Sequence, residues 1–294
     1  MKVLKGNIFL LLASIIWGTA FVAQTTGMQF VGPLTFTFMR FFLGALAVIP
    51  LLIIYELKFV NKVFERPKSF FLIFATAIAL GLGATIQQYA LLYTDVSNAA
   101  FITALYVPMV PIVLKIFFRK NLHWTIWLAV IICLIGLFFL TTDEKTTIGN
   151  LADILLIFSA FAFSIQIILN DIYLQKNNTP FIFAFSQYFI IFIITMFIAF
   201  IFEEPSVSGI SKEFFEIFYA GALSVGIAYT LQILGQNKMK PTPAAIILSM
   251  EAVFAAVAAW ILIDQSMPPI KIFGCFLIFI GIIVAQVFPI KKIK

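Results

Sequence analysis

The chain divides almost end to end into apolar stretches of about twenty residues, each long enough to cross a bilayer core as a helix. This pattern limits its fold more than any other feature. Ten stretches qualify: residues 5–26, 33–55, 69–93, 97–118, 124–141, 151–174, 180–202, 213–236, 241–263 and 268–288. Short polar or charged breaks separate them, at Gly32-Pro33, 56–68, Asp95, Arg119-Lys120, 143–145, 177–180, 203–212, 238–243 and 264–269. Pro33, Pro180, Pro241 and Pro268 stand at helix starts, where a missing N–H is no loss. The first stretch also has the make-up of a signal peptide, with Lys2 and Lys5 ahead of the apolar run and Gly18-Thr19-Ala20 as a small-residue site. Because the run continues through Phe21 and Val22, it is read as a helix.

Composition agrees. Of 294 residues, 63% are hydrophobic and 11% charged, against roughly 45–50% and about 25% in soluble domains. A water-soluble particle could neither hide that apolar surface nor cover itself with so few charges, which excludes a soluble enzyme, a nucleic-acid binder and a disordered linker. Cys133 and Cys275 sit inside apolar runs as small core residues. The single histidine, His123, has no acidic or thiol companions at ligand spacing, so neither a metal site nor a cofactor is expected.

The net charge of +6 is informative by position. With the N-terminus in the cytoplasm, fifteen of the nineteen lysines and arginines fall on the inner side. Lys145, Lys212 and Lys271 fall outside, and Arg40 lies within a span. Both termini are therefore expected to be cytoplasmic, in a multi-pass protein of the cell (inner) membrane.

Sliding the chain along itself reveals a duplication. At an offset of 145, Gly81, Gln87, Ala99, Ala100 and Gly136 meet Gly226, Gln232, Ala244, Ala245 and Gly281. At 147, Phe38, Phe42 and Glu56 meet Phe185, Phe189 and Glu203; at 143, Gly6-Asn7 meets Gly149-Asn150. The expected architecture is all-α, with ten transmembrane helices in two five-helix repeats, 1–147 and 148–294. Five is odd, so the repeats must be inverted relative to each other. Inverted repeats that rock about a midplane site are the architecture of secondary transporters.

Several segments also resemble a known family. Trp17-Gly18-Thr19-Ala20-Phe21, Arg40-Phe41-Phe42 and Leu105-Tyr106-Val107-Pro108-Met109-Val110-Pro111 resemble the drug/metabolite transporter superfamily, EamA type. Ser249-Met250-Glu251-Ala252-Val253-Phe254 and Ile261-Leu262-Ile263-Asp264 are similar to that family's second-half pattern. The chain departs from the pattern at Ala252, where a proline often follows the glutamate, and at Asp264, where a glutamate is usual. It also has Lys115 and Arg119-Lys120 where a glutamate usually ends the fourth helix. The resemblance implies ten spans and transport of a small metabolite; the family takes amino acids, nucleotide sugars, vitamins and drugs.

Charged side chains inside spans are costly and mark candidate sites. Glu251 is central in its span, and its repeat mate, Tyr106, is central in the fourth. Glu251 either faces a cavity, binding a substrate or carrying a coupling proton, or holds neighbouring helices together by hydrogen bonds. Arg40, whose repeat mate is Gln187, either attracts a carboxylate or pairs with Glu251, or else snorkels outward or caps carbonyls of the first helix. Gln87 with Thr85 and Gln88, and Gln232 with Tyr229 and Thr230, are read equally as cavity lining and as interhelical glue. Gln166 and Asn170 in the sixth span, and Trp17 and Gln24 in the first, join the same set. The small-residue series Ala75/Ala79/Gly83 and Ala252/Ala256 have the spacing of close helix packing.

No phosphate-binding loop, His-Glu-x-x-His run or Gly-x-Ser-x-Gly elbow occurs, and an enzyme is not expected. The expected function is secondary active transport of a small organic metabolite by alternating access. The substrate is an amino acid or related solute, moved outward, with a proton or another ion as coupling partner. Import of a vitamin or similar nutrient is the alternative, and a channel or a membrane scaffold a more distant one. The expected partners are the small solute and the lipid bilayer, without nucleic acid, in a monomer or homodimer.

Overall fold

The computed structural model describes residues 2–141, 151–264 and 266–287. The break at 143–145, the Gly149-Asn150 pair, Phe288 and the lysines at 291, 292 and 294 lie outside the described residues, as does the boundary between 147 and 148. Within them the secondary structure is helical, and no strand occurs among the described residues.

The main helices are α1 (Lys2–Thr26), α2 (Pro33–Tyr55), α3 (Pro67–Ala90), α4 (Val96–Ile116), α5 (Trp124–Thr141), α6 (Leu151–Leu174), α7 (Pro180–Phe202), α8 (Phe214–Gln236), α9 (Pro241–Ile263) and α10 (Pro269–Val287). Eight of them are long and apolar enough to cross a membrane; α5 and α10 contain shorter apolar helices, Trp124–Phe139 and Pro269–Ala285. Their outer faces expose large side chains such as Phe71, Phe200, Ile201 and Phe215, a surface suited to lipid and not to water. Several helix ends differ from the sequence expectation: α4 spans 96–116 and not 97–118, α8 starts at Phe214, and α10 starts at Pro269 and not at Pro268. Pro67 supplies the first turn of α3, which starts there and ends at Ala90, not at residues 69 and 93.

Two helices are interrupted in mid-span. In α4 the break falls between Val96–Thr103 and Tyr106–Ile116. Pro108 has no N–H to give the carbonyl of Ala104, which instead accepts the tighter bond from the Val107 amide at 3.0 Å. In α9 the break falls at Ser249, between Pro241–Leu248 and Met250–Ile263. There the Ser249 hydroxyl donates to the carbonyl of Ile246 at 2.7 Å, offering the backbone a local alternative to the ladder. A third irregularity is a π-helical stretch in α8, Tyr219–Tyr229; such turns often accompany functional sites. At its far end α9 stops at Asp264, held in the left-handed conformation that aspartate tolerates.

α2 packs antiparallel along α7, α3 along α6, α5 along α10, and α1 against α8 and the second half of α9. The α2–α7 pair is fastened at both ends. Glu203, just beyond α7, accepts from the amides of Leu34 and Thr35 at 2.8 and 2.7 Å and from the Thr35 hydroxyl at 2.6 Å. Glu56, just beyond α2, accepts from the amides of Phe181 and Ile182 at 3.0 and 2.8 Å. Each carboxylate thus caps the partner helix's N-terminus, where backbone donors lack intrahelical acceptors and the dipole favours negative charge. Burial pushes the Glu56 carboxyl above its ordinary range, and the amides of Ile182 and Phe181 pull it back. Gly32 makes the Glu203 contact possible, since a Cβ there would lie 2.3 Å from the carboxylate carbon. Glu203→Ala, which leaves three donors unmatched, is expected to cost about 2 kcal/mol, and Glu203→Gln clearly less. Thermal unfolding of the detergent-solubilised protein reads the difference.

Candidate functional site

A buried chamber lies between α1, α2, α3, α4, α6, α8 and α9, at the level where α4 and α9 are broken. The space between its walls is about 460 Å³. Among the described residues, α5, α7 and α10 supply no lining side chain.

Eight of the residues singled out from the sequence reach this chamber: Trp17, Arg40, Gln87, Tyr106, Gln166, Tyr229, Gln232 and Glu251. So does Gln24. Asn170 does not. It donates to the side chain of Gln236 at 2.8 Å, and Gln236 in turn donates to the carbonyl of Ile167 at 3.1 Å, outside the lining set. Gln88 also lies outside that set, giving its amide to the carbonyl of Gln24 at 3.0 Å and to the Met28 sulfur at 3.1 Å. Thr230, off the lining as well, pairs with Tyr188 at 3.2 Å.

Seen from the sequence alone, six lining residues were missed: Phe21, Thr103, Phe163, Ile167, Ser224 and Leu248. Helical spacing was the available signal for four of them. Phe21 lies four residues after Trp17, and Thr103, Phe163 and Leu248 each lie three before a polar lining residue, spacings that share a helix face. Ser224 lies five before Tyr229, a spacing that faces the same way only because that stretch is π-helical.

Each break places a chemical group. Tyr106 opens the second half of α4, and Glu251 lies in the first turn of the second half of α9. A half-helix N-terminus favours a carboxylate, which eases the burial of Glu251. Both side chains are buried and face each other, the Tyr106 hydroxyl being the polar group beside Glu251, whose Oε1 makes no well-formed hydrogen bond. Arg40 is buried too. It reaches inward from α2, donating to the side chain of Gln24 and, at 3.1 Å, to the carbonyl of Ala84 on α3. This excludes the outward-snorkelling conformation and places its carbonyl contact on α3, not on the first helix. Its Nε is unpartnered, and it forms no ion pair with Glu251 among the described residues. An acid and a base thus line one chamber without neutralising each other, a costly arrangement that a charged or hydrogen-bonding solute would relieve.

The amides are more settled. Gln166 and Gln232 exchange hydrogen bonds at 3.2 Å in both directions, and Gln87 donates to Thr103 at 3.0 Å. They line the chamber and tie helices together at once, so the two readings left open by the sequence coexist. Replacing Gln232 with leucine is expected to cost about 1 kcal/mol by stranding the Gln166 amide. The double change should cost less than the two single losses combined, which a double-mutant cycle on thermal stability measures. One wall is aromatic. Trp17 and Tyr229 have ring centroids 4.7 Å apart, Phe41 lies behind at 6.4 Å from Tyr229, and the Trp17 indole donates to the carbonyl of Ser224 at 3.2 Å.

An apolar-faced helical bundle around a buried polar chamber has the build of a multi-pass membrane transporter. Comparison with known proteins agrees. The model of the EamA-like transporter family matches residues 4–142 and again 150–286, and the chain belongs to that family. A protein from Archaeoglobus fulgidus named "Uncharacterized transporter" is 29% identical over 286 residues, covering 97% of this chain and 87% of that protein. The "Uncharacterized transporter YoaV" of Bacillus subtilis is 22% identical over 289 residues, covering 96% of each. A solved crystal structure superposes with a TM-score of 0.79 at 15% identity over 96% of both chains, a likeness of fold.

Proposed function

We propose that this protein is a secondary active transporter that moves a small organic solute across the cell membrane by alternating access. The observation that carries the reading is the convergence of Glu251, Tyr106 and Arg40, with the paired glutamines and the Trp17–Tyr229 wall, on one chamber at the breaks of α4 and α9. Broken helices meeting at mid-membrane are where secondary carriers bind their cargo. A buried cation and a buried anion in one chamber suit a solute carrying both signs of charge, so an amino acid or related metabolite is the substrate class. Outward movement driven by a proton through Glu251 completes the proposal.

Two features support the architecture that goes with it, ten spans in inverted repeats, 1–147 and 148–294, with both termini cytoplasmic. The family model matches twice, once in each half, and Glu56 and Glu203, related by an offset of 147, make reciprocal caps. A monomer or homodimer in the cytoplasmic membrane is the assembly proposed, with the small solute, lipid and a coupling ion as its partners and no enzymatic step.

The test is a ligand screen by thermal unfolding, followed by flux in proteoliposomes. Amino acids are expected to raise the melting temperature with the logarithm of their concentration and to exchange across the liposome wall with saturation. Stabilisation and flux by vitamins, nucleosides or quaternary amines, with none by amino acids, would overturn the substrate assignment. Non-saturating flux would overturn the carrier mechanism.

A further inference from the structure

A second polar site lies away from the chamber, at the end of the bundle where α2 runs into α3 and α6 into α7. Two short helices, Leu57–Phe59 and Val60–Phe64, lead from α2 to α3. Beside them a hollow of about 590 Å³ is bounded by Lys62, Arg66 and Lys176 and floored by residues 177–179. A groove of about 620 Å³ shares Lys176 with it and runs on past Lys68 to Phe71 and Leu72 on the lipid-facing side of α3.

Three cations therefore surround the hollow, and a fourth, Lys68, stands on the groove that adjoins it. None has an ion-pair partner among the described residues, and the acid in their stretch, Glu65, is exposed and pairs with none of them. The floor, by contrast, is fixed. Asn177 is buried, its side chain accepting from the Ser69 hydroxyl at 3.2 Å and donating to the carbonyl of Tyr173 at 3.3 Å. Thr179 pairs with the Tyr173 hydroxyl at 2.8 Å. Unpaired charge over an ordered floor, open on one side to an apolar groove, matches a ligand with an anionic head and a hydrocarbon tail. Basic pockets between membrane helices at the charged face hold anionic lipid headgroups by the same physics.

We propose that this corner binds an anionic phospholipid. Lys62, Arg66 and Lys176 hold the phosphate, Lys68 sits at the headgroup's membrane edge, and an acyl chain lies along Phe71. The amides of Phe181 and Ile182, capped by Glu56, follow directly on this floor. A bound lipid therefore braces the same α2–α7 connection that the carboxylate fastens.

The full-length protein, delipidated in neutral detergent, is titrated with phosphatidylglycerol and with phosphatidylcholine. Bound lipid is read by native mass spectrometry and melting temperature by thermal unfolding. Phosphatidylglycerol is expected to bind the wild type and stabilise it. The combined Lys62→Gln, Arg66→Gln and Lys176→Gln variant should bind it about tenfold more weakly or worse, whereas Lys238→Gln with Lys240→Gln, at a different basic surface, should stay within about twofold. Equal binding of phosphatidylcholine, or equal weakening in both variants, would overturn the site, because the charges then act only as a diffuse field. Glycerol phosphate or inorganic phosphate stabilising and competing as well as the lipid would overturn the lipid assignment in favour of a soluble phosphate. If the triple variant does not yield folded protein, Lys62→Gln and Lys176→Gln are tested singly, each expected to weaken phosphatidylglycerol binding by a smaller factor; no change in either overturns the proposal.

Discussion

Glu251→Gln is expected to abolish uphill transport while leaving the protein folded. The substitution keeps the shape of the side chain and removes its charge and its titration. It sits in the first turn of a half-helix, buried beside the Tyr106 hydroxyl, so an amide fits the same space and keeps an oxygen to face that hydroxyl. Losing a charged hydrogen bond to a solute is worth up to about 3 kcal/mol, or roughly a hundredfold in affinity. Two assays separate the roles. If Glu251 carries the coupling proton, solute exchange between equal pools survives and accumulation against a gradient is lost with its pH dependence. If Glu251 binds the solute itself, exchange falls by about the same hundredfold. Unchanged accumulation with an unchanged pH profile would remove Glu251 from the mechanism.

Gly18→Leu is expected to prevent folding, and Gly18→Ala to cost about 1–3 kcal/mol. At Gly18 the backbone of α1 lies directly on α9: an added Cβ would stand 2.4 Å from the Cβ of Phe254 and 2.7 Å from the amide nitrogen of Ala255. Those are backbone and near-backbone atoms that cannot swing aside. Room is made only by parting two helices, and small residues are what allow membrane helices this close. Parting them also shifts Trp17 and Glu251, on the two sides of the contact, so the alanine variant should lose solute affinity as well as stability. Yield of monodisperse protein, melting temperature and ligand-induced thermal shift together check this.

The course of most helices and the polar part of the chamber's lining were legible in the sequence for one reason. In a chain this apolar, any polar or charged side chain inside a span is conspicuous. Glu251, Arg40 and four glutamines, Gln24, Gln87, Gln166 and Gln232, stood out for that reason, and the chamber collects them. Helix interruptions are a different matter, because they depend on hydrogen bonds rather than hydropathy. Pro108 marked the α4 break in plain view, but α9 has no proline after Glu251, and its break rests on a serine hydroxyl bonding one turn back. The π-helical stretch of α8 has no hydropathy signature either. The repeat comparison placed Glu56 opposite Glu203, yet an alignment of equivalent residues says nothing of contact, and these two touch each other's helices instead of each other. The inward turn of Arg40 could not be read for a related cause: its partners are a side chain on α1 and a carbonyl on α3, brought near only by packing.

The two carboxylate caps also decide which degrees of freedom the bundle has. They lie at opposite ends of one antiparallel pair, so sliding α2 along α7 by even one turn would pull both carboxylates off their amides together. Rotation about an axis through the pair leaves each carboxylate near its donors and strains neither. The pair is stiff to translation and compliant to swinging, in the manner of a door pinned at top and bottom. Any movement that opens the chamber is then steered towards a tilt of the surrounding helices about α2 and α7, and a lift of one part of the bundle past the other is opposed from both ends.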